Sequence, residues 1–351
     1  MSISLTGRLG GWRVRTLERE NVNRFELTTK STPPLPNMSD PQISAIICTH
    51  NREEYLGAAI DSVLQQDFYS YEVVVVDNAS SDRTRDIVAE RLSNPRLNYV
   101  YEPIIGLSIA RNTGAKEAHA PILAYLDDDA VASPLWLRTI YNAYQSNEKL
   151  AIAGGKVTLL WPDGITPPEW LSSELAGALG AYDLGDSIVQ IINPSLTPRG
   201  LNYSIRRTFL EQVGGFDVNL GRVGKNLLSN EELQMTELAL QNGWQVVYLP
   251  DALVTHNVAL ERLEPVWFFS QSWWQGISEC YREQLADRAG SVQLLRGGEG
   301  IVRGLYKSVK HFRDPVLRFD NLVYAYGQIG YLTAALQGIL KTPKAKLPPG
   351  N

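Results

Sequence analysis

The sequence predicts an α/β protein in which a mostly parallel central sheet is flanked by helices and followed by a C-terminal helical appendage. Short apolar, β-branched runs alternate with segments of helical apolar spacing between residues 43 and 249, as is typical of a parallel sheet with helices on both faces. Three of these runs end in polar clusters, and ligands of open parallel sheets bind beyond the carboxyl ends of the strands. After residue 256 the pattern becomes largely helical.

The chain has 351 residues, which is enough for two domains or for one large domain with additions. Residues 1–41 are predicted to be an N-terminal extension that ends in a Pro/Ser linker, because proline favours extended backbone. Residues 42–260 are predicted to form the α/β domain, and residues 261–351 the helical appendage.

The first strand is predicted at 43–49, and a helix at 53–66 follows it. Further strands are predicted at 72–76, 97–101, 122–126, 152–160 and 245–249. Further helices are predicted at 84–92, 107–117, 135–145, 232–242, 267–282 and 321–340. A loop rich in Trp, Pro and Gly occupies 161–171, and loops of this length are often functional.

Composition limits the classes of partner. With 33 Lys and Arg against 38 Asp and Glu, the formal net charge is −5, which argues against nucleic-acid binding. The cysteines, Cys48 and Cys280, are too few for a disulfide scaffold, so a cytoplasmic protein is the simplest expectation. Arg and Glu residues interrupt residues 1–20, which argues against a signal peptide.

An uncharged segment at 322–340 is close to the minimum length of a membrane span. Its Gly, Gln and Tyr residues make it only moderately hydrophobic, so a packed or interfacial helix is the preferred interpretation. Lys341, Lys344 and Lys346 follow it and suit an anionic membrane surface as well as a solvated tail. Peripheral association with the cytoplasmic face of a membrane is an expectation that the sequence leaves open.

Three consecutive aspartates, Asp127, Asp128 and Asp129, follow the strand predicted at 122–126. Adjacent carboxylates repel one another unless a cation neutralises them. On extended backbone Asp127 and Asp129 would share one face while Asp128 points away. Carboxylate oxygens with room for phosphate oxygens suit a hard divalent ion, so the run predicts a Mn²⁺ or Mg²⁺ site. A solvated turn is the alternative.

Seven motifs follow one another between about residues 43 and 256: 48–52 (CTHNR), 76–82 (VDNASSD), 106–114 (GLSIARNTG), 126–129 (LDDD), 200–207 (GLNYSIRR), 213–217 (VGGFD) and 229–232 (SNEE). Their order resembles glycosyltransferase family 2, the nucleotide-sugar transferases with a single Rossmann-like domain called GT-A. One Asp pair would be a weak signal, whereas seven motifs in the family's order are a strong one.

The resemblance implies roles for residues at the first two strand ends. Thr49, Asn51 and Arg52 would line the nucleoside site, and Asp77 would accept a hydrogen bond from uracil or a similar base. Asp82 would share this task or only cap the next helix.

For the diphosphate, metal and sugar, the resemblance implies a second set of residues. Arg111 would lie near the diphosphate, because a guanidinium suits oxyanions. Asp129 is favoured for direct metal contact and Asp127 for ribose or metal contact; the run of three, with Asp128 in its middle, leaves open which side chain binds. Asn202 would lie beside the donor sugar.

The acceptor hydroxyl needs a base, and the family supplies it from an acidic motif at the start of a late helix. Glu232 is therefore the candidate base and Glu231 the alternative, although the family more often has Asp at the position of Glu232. Favourable placement in the first turn of a helix is the structural alternative. His256 would reach the metal or be structural. Four tryptophans would stack on acceptor sugars or fill the core: Trp161, Trp170, Trp273 and Trp274.

The resulting expectation is an inverting, metal-dependent glycosyltransferase that moves a sugar from a nucleoside-diphosphate donor, with UDP favoured, to a saccharide or lipid-linked acceptor. Polysaccharide or glycoconjugate assembly would be its setting. A non-catalytic GT-A-like binding or scaffold protein is the alternative, supported only by the Glu at position 232. A nucleotidyltransferase is a weaker alternative, since the chain has no Gly-rich phosphate loop followed by Lys.

Overall fold

The structure is a computed structural model that describes residues 40–224, 226–285 and 291–336. The chain divides into two compact units with a boundary between Glu264 and Pro265. Most of the predicted extension, residues 1–39, and the last residues of the predicted appendage, 337–351 with their three lysines, lie outside the described residues.

The first unit contains one sheet, with nine strands among the described residues. Strands β1 to β9 span, in chain order, Ile43–Thr49, Tyr71–Asp77, Leu97–Tyr101, Ile122–Asp127, Ala130–Ala132, Leu150–Leu160, Val189–Gln190, Asn202–Arg206 and Gln245–Asn257. They lie in the order β3-β2-β1-β4-β8-β6-β9-β5, and β7 pairs with β9. Strands β1 to β4 form a parallel half, whereas β8 runs antiparallel to both β4 and β6.

Seven helices belong to the same unit. Helices α1 to α7 span Glu53–Leu64, Thr84–Ala89, Leu107–Glu117, Trp136–Ser146, Ser173–Ala178, Arg207–Val213 and Glu231–Gln241. The predicted α/β fold with a central sheet is confirmed, because the apolar runs that predicted β1, β2 and β4 form the buried core.

The second unit consists of helices α8 to α10, which span Pro265–Leu285, Ser291–Lys310 and Pro315–Leu336. Glycines allow α10 to approach α8 closely: a Cβ at Gly327 would meet the backbone of Ser272, and one at Gly330 would overlap the backbone of Trp273. Residues 322–336 of the uncharged segment belong to this packed helix, and residues 337–340 lie outside the described residues. Among the described helices, none has the length and apolar character needed to cross a bilayer.

The sequence pattern did not predict several elements. Strand β8 was missed because two of its buried residues, Asn202 and Ser204, are polar, so its sequence contains no continuous apolar run. Strand β9 was predicted to end at residue 249 but continues to Asn257 through Pro250, because its register with β6 shifts between Gly155 and Val157. The short elements β5, β7, α5 and α6 were not predicted, and neither was α9, in which four glycines lower helix propensity.

Candidate active site

Polar strand ends meet at one edge of the parallel half of the sheet. Thr49, the last residue of β1, is in register with Asp77, the last residue of β2. Cys48 of β1 is in register with Asp127, the last residue of β4. The pairing therefore brings the three polar clusters of the sequence to the same level of the sheet.

The aspartate run bends as soon as β4 ends. Asp127 is the last extended residue, and Asp128 and Asp129 form the turn before β5. The predicted alternation, in which Asp128 would point away from the other two, is therefore wrong, because it requires extended backbone. The turn is also not solvated: Asp128 and Asp129 are buried and Asp127 is half-buried.

Two neighbours hold Asp129. Nε2 of His256 lies 3.1 Å from Oδ1 of Asp129, and Nη2 of Arg262 donates to Oδ2 at 3.1 Å. Strand β5 pairs with β9 at Ala130 and His256, which brings the imidazole to the turn. Burial alone would raise the pKa of Asp129, but the hydrogen bond with His256 and the charge of Arg262 hold it well below its usual range.

Asp127 and Asp128 have no salt bridge among the described residues. Burial, reinforced by the charge of Asp129, raises the pKa of both, and that of Asp128 reaches about 8. The Thr49 hydroxyl and the charge of Arg52 lower the pKa of Asp128 only in part. Among the described residues, no cation therefore forms an ion pair with these two carboxyls, and the turn disfavours their ionisation.

No group of three or more His, Cys, Asp or Glu side chains is arranged as a metal site among the described residues. The donor chemistry of the aspartate turn nevertheless fits a hard divalent ion, since its two under-neutralised carboxylates supply oxygen ligands. Such ions are commonly held by one or two carboxylates, and substrate phosphates and water complete the coordination. His256 contacts Asp129 through Nε2, and its Nδ1 faces Gly180.

A second acidic cluster forms between α3 and α7. Nη1 of Arg111 donates to Oε1 of Glu231 at 2.8 Å and to Oε1 of Glu232 at 2.9 Å. The side chains of Arg111 and Glu231 are almost completely buried, whereas that of Glu232 keeps 14% of its surface exposed. The guanidinium also lies over the rings of Tyr125 and Phe216. Arg111 was expected near a diphosphate; in the structure its Nη1 binds both glutamates, and its place beside a diphosphate stays a prediction.

Two features of the backbone allow Arg111, Glu231 and Glu232 to lie together. Asn230 has a φ of 82°, in the left-handed region that Asn tolerates better than most residues, and α7 begins directly after it. Both glutamates consequently lie in the first turn of α7, where the helix dipole favours negative charge. A Cβ at Gly200 would overlap Oε1 of Glu232 and Nη2 of Arg111, so a larger residue there would displace this pair.

The two glutamates share one cation and differ in environment. Burial, followed by the charge of Glu232, raises the pKa of Glu231 to about 8. Oε2 of Glu231 has no hydrogen-bond partner among the described residues. Glu232 is thus the member of the pair that reaches the surface. Arg111 also acts electrostatically on Asp127, so the two acidic clusters belong to one charged region.

At the end of β2, Asp77 is enclosed. Its carboxylate accepts a hydrogen bond from the backbone N–H of Ser80 at 2.9 Å and one from the hydroxyl of Tyr99 at 2.7 Å. Asn51 adopts a φ of 55°, and its Oδ1 accepts from the backbone N–H of Ser81 at 2.7 Å. These bonds fix the loops that follow β1 and β2 against each other.

Asp82 has the capping role that was one of its two predicted alternatives. Oδ1 accepts from the backbone N–H of Thr84 at the start of α2, and Oδ2 accepts from that of Glu53 at the start of α1. Arg52, immediately before α1, acts through its charge on Asp128 and Asp129. Asp82 therefore joins the starts of α1 and α2, and Arg52 links the loop after β1 electrostatically with the aspartate turn.

Asn202 does not fit its expected place beside a donor sugar. It is fully buried. Its Oδ1 accepts from Nε1 of Trp136 at 2.9 Å, and its Nδ2 donates to the carbonyl of Ala252 at 2.7 Å. Its amide therefore holds strands and a helix together inside the core. Trp161 and Trp170 are half-buried in the 161–171 loop region, while Trp273 and Trp274 belong to α8 of the second unit.

Sequence reasoning missed three residues that shape the region: Arg262, Tyr99 and Gly200. Arg262 follows β9 by only a few residues, and a lone Arg after a strand carries no signal of its own. Tyr99 sits on the edge strand β3, opposite Val75. Gly200 begins the 200–207 motif, so the motif itself was the available signal.

Comparisons with known proteins agree with this fold. The profile described as "Glycosyl transferase family 2" matches residues 44–188. A glucosyl-dolichyl phosphate glucuronosyltransferase of Haloferax volcanii is 28% identical over 257 residues, covering 71% of this chain and 79% of that protein. A validoxylamine A glucosyltransferase of Streptomyces hygroscopicus subsp. limoneus is 32% identical over 148 residues, which is 40% of this chain and only 32% of that protein.

The fold is also similar to that of a solved mannosyltransferase of Pyrobaculum calidifontis, in complex with GDP-Man and Mn²⁺. The TM-score is 0.51 at 19% sequence identity, over 88% of this chain and 78% of that one. This likeness shows the GT-A fold. The profile match and the similarity to glucosyl- and glucuronosyltransferases identify a glycosyltransferase enzyme. Within that class, the matched profile and the similar relatives support a family 2 glycosyltransferase.

Proposed function

We propose that the enzyme is an inverting glycosyltransferase that moves a sugar from a nucleoside-diphosphate donor, with a UDP-sugar favoured, to a hydroxyl of a saccharide or lipid-linked acceptor. The observation that carries this proposal is the charged region itself: an under-neutralised aspartate turn and a paired glutamate cluster are coupled through Arg111. One cluster suits a diphosphate-bound cation and the other suits proton removal.

In this proposal Asp127 and Asp128 hold a Mn²⁺ or Mg²⁺ ion, and Asp129, oriented by His256 and Arg262, completes the turn. The ion supplies charge neutralisation for the departing diphosphate. Thr49, Asn51, Arg52 and Asp77 form the nucleoside edge. Its loops are already fixed by their own hydrogen bonds, so little ordering is needed on binding.

Glu232 is the proposed general base. It is the more exposed of the two glutamates and is oriented by Arg111 through a 2.9 Å hydrogen bond. Glu231, with its pKa raised to about 8, holds a proton near neutral pH. The guanidinium orients Glu232, which takes the proton of the acceptor hydroxyl as the sugar is transferred.

The proposal is tested by measuring release of UDP from UDP-glucose and of GDP from GDP-mannose, with Mn²⁺ or with a chelator, on lipid-phosphate and saccharide acceptors. We expect turnover with UDP-glucose that the chelator removes. Glu232→Gln should lower kcat by about a hundredfold or more while nucleotide-dependent thermal stabilisation persists. Glu211→Gln, which changes an exposed glutamate on α6, is the matched control and should retain full activity.

Binding of nucleotide without turnover on any donor would instead favour the scaffold alternative. Full activity of Glu232→Gln would exclude it as the base. Faster turnover with the guanosine donor than with the uridine donor would overturn the UDP preference. A setting in glycoconjugate assembly at the cytoplasmic face of a membrane belongs to the same proposal, because a lipid-linked acceptor would be presented there.

A further inference from the structure

The outer face of helix α9 is apolar although it is exposed to solvent. Leu295, Val302 and Val309 are 75%, 69% and 72% exposed. With Tyr306 they are spaced seven, four and three residues apart, which places them on one stripe of a helix. Two further exposed side chains widen the stripe, which consists of Leu295, Val302, Leu305, Tyr306, Val309 and Phe312. We refer to these six residues as the outer stripe.

The inner face of α9 carries glycines. A Cβ at Gly297 would come to 2.8 Å from Leu332, and one at Gly304 to 2.9 Å from Ala325, so α10 approaches this side too closely for larger residues. A helix of a protein in water normally has its large apolar side chains inside and polar ones outside. In α9 the large apolar side chains of the outer stripe are exposed, whereas glycines face α10. Packing within the unit therefore does not account for the outer stripe.

Positive charge borders the outer stripe. Helix α9 carries four basic residues (Arg296, Arg303, Lys307 and Lys310) and a single acidic one, Glu299. Arg303 lies 3.8 Å from Glu299, the one acidic residue of the helix. Partial burial, followed by repulsion from Arg303 and Lys310, lowers the pKa of Lys307, so the basic residues of the helix lie close to one another. Arg313, just beyond the helix and exposed, adds to the row.

We propose that α9 is a membrane-docking helix whose outer stripe enters the interface of an anionic lipid bilayer while its basic residues contact headgroup phosphates. Exposed apolar residues beside a basic row are the pattern of helices that lie in a membrane surface. Charge decides between occupants: a second copy of the chain, packed on the same face, would bring one basic row against another, whereas anionic lipid complements it. The inference does not depend on the transfer reaction.

The test is co-sedimentation of the full chain with vesicles of phosphatidylcholine alone and with vesicles that also contain phosphatidylglycerol. We expect binding to the anionic vesicles only, weakened by added salt. An apolar variant, Val302→Ser with Val309→Ser, and a charge variant, Arg296→Gln with Lys310→Gln, should each lower the affinity by about tenfold. Tyr69→Ser with Ile192→Ser removes two exposed apolar residues elsewhere and should leave vesicle binding unchanged.

The proposal is overturned if the wild-type chain does not bind anionic vesicles, or if either α9 variant binds them as well as the wild type does. It is also overturned if the wild type is a lipid-free dimer that the apolar variant converts to a monomer, since a second copy would then cover the stripe. Stabilisation of each variant by UDP with Mn²⁺ is measured in parallel. If UDP with Mn²⁺ does not stabilise the wild type, the proposed function is contradicted, and the result of the vesicle experiment still stands.

Discussion

The two acidic clusters of the α/β unit both bury carboxylates, but they differ in what neutralises them. In the glutamate cluster Arg111 lies between Glu231 and Glu232 and contacts both. In the aspartate turn Arg262 and His256 contact Asp129, and Asp127 and Asp128 form no described salt bridge.

This difference separates two uses of buried charge. A buried ion pair adds little net stability, whereas a buried carboxylate that has lost its partner is costly. In the glutamate cluster a cation of the chain contacts both carboxylates and holds their geometry. In the aspartate turn no such cation contacts Asp127 or Asp128 among the described residues, which is compatible with the proposed metal site. Substitutions that remove one charge from either cluster test this distinction.

The largest effect is expected from Arg111→Met, which removes the cation shared by both glutamates. Two buried carboxylates would then face each other unpaired, and the free energy of unfolding should fall by about 4 kcal/mol. Urea unfolding monitored by circular dichroism measures it. Arg138→Met, which breaks an exposed pair with Asp67, should cost less than about 1 kcal/mol. Equal losses in the two variants would show that Arg111 does not neutralise the cluster.

A smaller loss is expected from Arg262→Met. Asp129 would keep its contact with His256, so the free energy of unfolding should fall by about 2 kcal/mol, measured in chelator by the same urea titration. Adding Asp129→Asn to this variant removes the charge that Arg262 neutralises and should recover part of the loss. If the double variant is less stable than Arg262→Met alone, the ion pair is not the reason for the loss.

The opposite sign is expected for Asp128→Asn. The raised pKa of this carboxyl, about 8, means that the folded state is penalised for its charge, so the amide should stabilise the metal-free protein by about 1–2 kcal/mol. The same variant should lose most of the thermal stabilisation that Mn²⁺ gives in the presence of UDP. Asp163→Asn, at an exposed position, is the control. Destabilisation by Asp128→Asn in chelator would contradict the idea of surplus charge in the turn.

Local patterns explain what could be predicted from the sequence. Apolar runs and polar strand ends are properties of neighbouring residues, so β1, β2 and β4 and the meeting of their ends could be predicted. Pairings between distant residues have no such local pattern. Arg111 and Glu231 are 120 positions apart, and the sequence offered a diphosphate as the partner of this arginine instead.

Glycines were the second source of error. Helix α9 was missed because its glycines lower helix propensity, and their purpose, close contact with α10, appears only when both helices are placed. Asn202 was predicted to lie beside a sugar because its actual partners are far away in the sequence. Its side chain forms hydrogen bonds with Trp136, Ala252 and Lys156. Local chemistry identifies which residue types gather, and tertiary contacts decide what each one faces.

The sharpest test of the glutamate cluster concerns pH. Because the pKa of Glu231 is raised from 4.5 to about 8, the folded state keeps a proton that the unfolded state releases between these values. Stability should therefore fall as pH rises through that window, by at most about 1.4 kcal/mol per pH unit from this group. Glu231→Gln replaces the protonated carboxyl by a neutral amide and should flatten this slope, as measured by urea unfolding at several pH values. Glu211→Gln should leave the slope unchanged. An unaltered slope in Glu231→Gln would mean that Glu231 does not hold this proton.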